Sequence, residues 1–183
     1  MTDHLDERTF DLLFGIRRSV RYHSHRRRFY EIWNAVTVTV GAIGGSSAAT
    51  LFLGDLSGDA GWIPGALAGI VAIFSAFDLA VGTGRRADRH GDLARQFIGL
   101  EQRFAHGHDL DDKQHEELTR ARLQIEAAEP TVLRLLDAMC HYELMRSLGD
   151  NQPFPRVPWW RRVLAHCLSQ TDYALALGKP AAE

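Results

Sequence analysis

The sequence predicts an all-α fold: a two-helix transmembrane hairpin with an N-terminal amphipathic helix and a C-terminal cytoplasmic helical bundle. Three observations carry the prediction. Two apolar runs, residues 33–53 and 62–81, are each long enough to cross a bilayer as a helix, which needs about 20 mostly apolar residues. The first contains no charged residue and the second only Asp78. The turn between them, residues 54–61, carries Asp55 and Asp59 but no basic residue, whereas arginine crowds both outer flanks. Arg17, Arg18, Arg21, Arg26, Arg27 and Arg28 precede the first run, and Arg85, Arg86 and Arg89 follow the second. Positive charge is retained on the cytoplasmic side, so the pattern places both termini in the cytoplasm, at the inner membrane. The sequence thus divides into a cytoplasmic helix (1–31), the hairpin (32–82) and a cytoplasmic helical region (83–183).

The first element is an amphipathic helix over about Asp3 to Arg28. Leu5, Leu12, Leu13, Ile16 and Val20 fall on one face at helical spacing. Arg26, Arg27 and Arg28 then set topology and meet lipid head groups, with His23 and His25 as interfacial neighbours open to protonation. Trp33 lies at the inner interface and Trp62 at the outer one, where indole rings prefer to sit. After the second run, Leu93, Phe97, Leu100 and Phe104 repeat at steps of three and four. Gly107 and the acidic stretch Asp109 to Asp112 interrupt that repeat. Leu118, Ala121, Ile125 and Ala128 mark a further helix. Pro130 suits the first turn of the next, which carries Leu133, Leu136, Met139, Cys140 and Leu144. A proline-containing loop from Gly149 to Pro158 leads to a last helix from Trp159, with Trp160, Val163, Leu164 and Cys167 on one face. Paired tryptophans beside Arg161 and Arg162 suit either the inner leaflet or a docking site in the bundle. The tail from Gly178 is expected to be disordered.

Within the spans, small residues let backbones approach. Gly41 and Gly45 form one such pair, and Gly65 and Gly69 another, extended by Ala72 and Ala76; they are expected at helix contacts inside the hairpin or between subunits. Thr39, Ser46 and Thr50 share a polar face of the first span, the expected pore lining. Asp78 either pairs with Arg85, Arg86 or an arginine of the first helix at the cytoplasmic interface, or faces a pore or subunit contact.

Composition narrows the chemistry. Mean hydropathy is −0.19 and net charge is −2, because polar helices flank the hairpin. The basic cluster abuts a span, which argues against nucleic acid as a partner. Cys140 and Cys167 lie in the cytoplasmic part and stay reduced. No phosphate-binding glycine loop, nucleophile elbow or HExxH is present, so no enzymatic activity and no cofactor are expected. His106, His108, Asp109 and His115 cluster across a loop without established metal-binding geometry, and no metal site is assigned.

The order and texture of these elements resemble the SLATT domain, a two-transmembrane effector family of prokaryotic nucleotide-signal and conflict systems. The basic-aromatic entry from Arg21 to Tyr30, the Thr/Gly-rich span, the short acidic turn, the second span and the exit Gly84-Arg85-Arg86-Ala87 carry the resemblance, over about Leu5 to Leu148. It implies a homo-oligomeric pore-forming or membrane-disrupting effector in antiphage defence, gated by its cytoplasmic helices. These 183 residues include no fused sensor or enzyme, so a separate sensor protein or a nucleotide signal is the expected trigger. The competing expectation is a membrane-anchored scaffold whose cytoplasmic helices recruit a protein partner.

Overall fold

A computed structural model describes residues 6–53, 62–104, 110–150 and 157–170, with side chains omitted at 47–53 and 62–64. Every regular element among the described residues is helical: α1 (Glu7–Leu53), α2 (Trp62–Val81), α3 (Thr83–Gln102), α4 (Asp112–Ala127), α5 (Arg134–Ser147) and α6 (Trp159–Leu164). The expected outer turn, the side chains of Thr50 and Trp62, residues 106–109 and the tail from Gly178 lie outside what is described.

The chain divides into two compact units. One comprises residues up to Arg26 and from His90 onward; the other comprises Arg27–Arg89. The amphipathic segment and the first apolar run are one uninterrupted helix, α1. Neither glycine nor proline interrupts it between Arg17 and Val40, so its hydrogen-bond ladder has no reason to break there.

In the larger unit, the stripes read from the sequence become the core. Leu12 and Ile16 of α1 meet Phe97 and Leu100 of α3 and Leu118 of α4, with Val20, Phe104, Ala121 and Ile125 packed around them. A second cluster joins Tyr22 to Leu135, Leu136 and Cys140 of α5 and to Ala165 just after α6. Part-buried ion pairs, Arg17–Glu101 at 2.7 Å and Arg18–Asp137 at 3.3 Å, tie α1 to α3 and α5. At the start of α4 the Asp111 carboxylate accepts from the Gln114 N–H at 2.7 Å, while the Gln114 side chain accepts from the Asp111 N–H at 3.2 Å. This reciprocal cap stabilises the helix start by about 1 kcal/mol.

One boundary differs from expectation. Pro130 does not open α5; the helix starts at Arg134, with Leu133 extended as its N-cap residue. The buried Tyr22 hydroxyl accepts the Leu133 N–H at 3.0 Å. That tertiary bond holds Leu133 out of the helix and overrides the preference of proline for a first turn.

In the smaller unit, the Trp33 ring lies against Phe74 and Phe77, at centroid distances of 6.4 and 5.5 Å. Gly44 faces Val71 so closely that a Cβ on Gly44 would stand 2.5 Å from the valine methyl. Gly82 separates α2 from α3 with φ +64, a left-handed conformation that glycine adopts without strain. Across α2 and α3, the helical stretch Gly65–Gln102 contains an 18-residue window of mean hydropathy 1.9, none of it buried, and is long and apolar enough to cross a membrane.

Candidate functional site

The smaller unit shows where the intramembrane polar residues stand. Thr39 and Ser46 are exposed, and the Ser46 hydroxyl donates to the Ala42 carbonyl at 2.6 Å. Ser46 is therefore satisfied by its own helix. Asp78 is half-buried and accepts a hydrogen bond from the Thr83 hydroxyl. Among the described residues Asp78 forms no ion pair with Arg85, Arg86 or an arginine of α1. The reason is local: the left-handed turn at Gly82 delivers Thr83 to the carboxylate first. Arg86 reaches the Tyr30 hydroxyl at 3.4 Å, and Arg85 folds over Gly82.

Gly41, Gly45, Gly65 and Gly69 have no atom within 4 Å of where a Cβ would stand, so among the described residues their faces are open. Gly44, one residue off the predicted stripe, makes the close approach. Of the three arginines grouped for lipid anchoring, Arg27 pairs with Glu31 at 2.7 Å and Arg28 is exposed. Arg26 departs from that role. It is buried in the larger unit and donates to the His166 carbonyl.

The larger unit holds a polar centre that the sequence reading missed. His23 is 1% exposed and His90 3%. Their Nδ1 atoms stand 2.9 Å apart, and the His23 Nε2 lies 3.0 Å from a Glu129 carboxylate oxygen. His23 stacks on Phe97, with centroids 5.7 Å apart and planes 11° from parallel. His23 is not an interfacial residue, as expected from sequence, but part of the core. A signal for this was present. His23 continues the Leu12, Ile16, Val20 stripe by three residues, and His90 precedes Leu93, Phe97 and Leu100 by the same step. A histidine in register with an apolar stripe points inward like its neighbours.

The geometry constrains the protons. An ionised Glu129 only accepts, so the His23 Nε2–H donates to it. Neutral His23 then presents a bare Nδ1, which accepts from the Nδ1–H of His90. A cavity of about 400 Å³, lined by residues including Arg18, Tyr22, Glu126, Glu129 and Asp137, reaches Glu129 from outside. Glu129 thus links solvent, His23 and His90 in one line of hydrogen-bonding groups.

His25, likewise expected at the interface, instead meets Glu143 at 3.0 Å across α1 and α5. The hydrogen bond from His25 holds the Glu143 carboxyl below its ordinary range. His166 is pushed down to about 4, first by burial and then by the positive charges of Arg26 and His25. Burial also pushes up the Tyr22 hydroxyl and the Cys140 thiol, leaving both protonated at neutral pH.

No group of three metal-ligating side chains converges among the described residues. Three of the four members of the His106–His115 cluster lie outside them. Comparison with protein-family models, with curated proteins and with solved structures finds no match to this chain.

Proposed function

We propose that this protein is a membrane-embedded effector that assembles as a homo-oligomer and forms a pore or disrupts the bilayer, with its helical unit acting as the gate. The observation that carries the reading is the continuity of α1. One 47-residue helix contributes Leu12 and Ile16 to the helical core and then runs on through the first apolar run. In this reading, movement of the core end acts on the first span through this helix. The wholly unburied apolar window following Gly65 supports a membrane setting, since such a surface in water would invite aggregation. In this reading α1 and α2 form a two-span hairpin with both termini cytoplasmic, at the inner membrane. Gly41, Gly45, Gly65 and Gly69, open within the chain, meet other subunits. Thr39, Ser46 and Asp78 line or border the conducting path. A SLATT-like role in antiphage defence, released by a sensor protein or nucleotide signal, fits the order of elements.

The test is the mass of the nanodisc-reconstituted protein, followed by planar-bilayer conductance on the same sample. A discrete oligomer that conducts, and loses conductance in Ser46→Leu or Asp78→Leu, is expected. A discrete oligomer that stays silent under every trigger would shift the reading to a membrane-anchored scaffold. A chain that stays in solution without detergent would overturn the membrane reading.

A further inference from the structure

Large apolar side chains should be buried before small ones, because a tryptophan withdraws 150–250 Å² from water. Around α6 the order is reversed. Val157 and Ala165, which bracket the helix, are buried, and Ala165 is fully enclosed in the cluster with Tyr22 and Leu135. Trp159 is 77% exposed and Trp160 44%, and Val163, Leu164 and Leu168 are exposed beside them. The segment is therefore docked by its small residues with its large ones turned outward. Charge accompanies them: the Arg161 guanidinium lies 4.6 Å from the centre of the Trp160 ring, and Arg162 donates to the Val157 carbonyl at 3.1 Å. Arg26 ties this segment to α1 by donating to the carbonyl of His166.

We propose that the Trp159–Trp160–Arg161–Arg162 face is a membrane-docking surface that rests on the anionic inner leaflet, its indole rings among the head groups and its guanidinium groups on lipid phosphates. The inference rests on the membrane reading above. It adds a second, peripheral contact through which lipid charge reaches the helical unit. Indole rings favour the head-group level, and arginine suits phosphate. The helix itself carries two arginines and no acidic residue, which complements an anionic surface.

The experiment uses the full chain in nanodiscs of neutral or partly anionic phospholipid. Some discs carry lipid brominated just below the ester carbonyls and others carry it near the chain ends. Tryptophan emission is read as the difference between the native chain and Trp159→Phe/Trp160→Phe, with helical circular dichroism confirming that the variant folds. The difference signal should lose roughly half its intensity with the shallow bromines, and less with the deep ones, as expected for interfacial rings. That quenching should weaken without anionic lipid, and in Arg161→Gln/Arg162→Gln, which keeps both tryptophans. Quenching by aqueous iodide but not by bromolipid would overturn the proposal, as would protection from both, which would mean a protein cover. A chain that enters no nanodisc would fail the membrane reading itself, an outcome distinct from entry without quenching at α6.

Discussion

His23 and His90 meet through their Nδ1 atoms at 2.9 Å, one from α1 and one from α3, enclosed beside Phe97. The bond joins two helices at the positions where both leave the larger unit, since that unit's segments end at Arg26 and resume at His90.

Replacing His23 by Leu should destabilise the protein by about 1–3 kcal/mol, since His90 and Glu129 lose a buried partner. His90→Leu should act similarly, and the double variant should cost less than the sum. Urea unfolding of the four proteins gives the coupling, expected at about 0.5–3 kcal/mol. Strict additivity would show that the two rings do not act as a pair.

Phe97 is fully buried and belongs to the cluster built on Leu12 and Ile16. Phe97→Ala should cost about 3–5 kcal/mol, through lost transfer energy and the cavity left behind. Leu123→Ala, at an exposed position of α4, should change stability by no more than about 0.5 kcal/mol and serves as the control.

Stability should fall as pH drops, for two groups in sequence. The ordinary pKa of His166 is 6.5, and the folded protein lowers it to about 4. The unfolded chain therefore binds the proton first, and stability is complete above 6.5 and declines from there towards 4. Glu143, ordinarily at 4.5, is also lowered, so its contribution is complete above that value and is lost as pH falls through its folded pKa. His166→Asn should flatten the upper part of the profile and Glu143→Gln only the lower part, read by thermal unfolding across pH.

Cys140 and Cys167 are both free, one enclosed and one exposed. At neutral pH a thiol-alkylating reagent should add to Cys167 within the ordinary reaction time and leave Cys140 untouched until the protein is unfolded, because the nucleophile is the thiolate and burial suppresses it. Intact mass should show one adduct in the native state and two in denaturant. Native labelling at Cys140 would mean that the second cluster opens.

In the smaller unit, Gly44→Leu should loosen α1 from α2, because Val71 is β-branched and cannot swing aside. Gly41→Leu and Gly45→Leu meet open space within the chain, so any loss of oligomer mass they cause reports a contact between subunits. If Gly41→Leu and Gly45→Leu both leave the mass unchanged, that pair plays no part in assembly.

The sequence by itself determined the helices and most of the core. Periodicity reports the local geometry of a helix, and so Leu12, Ile16, Phe97, Leu100 and Leu118 were legible as inward positions. The length and hydropathy of the second apolar run likewise marked a helix able to cross a bilayer. Tertiary structure alone decided the rest. The stripe through Leu12, Ile16 and Val20 marks His23 as inward, but its meeting with His90, 67 positions away, is brought about by packing, which no local pattern encodes. Leu133, not Pro130, sets the start of α5 because a distant tyrosine takes its N–H. Arg26 turns inward, away from its arginine neighbours, because the carbonyl of His166 waits there. Around α6 the apolar pattern was visible in the chain. Which side faced the core was settled only when Ala165 filled the small space beside Tyr22 and left the tryptophans outside.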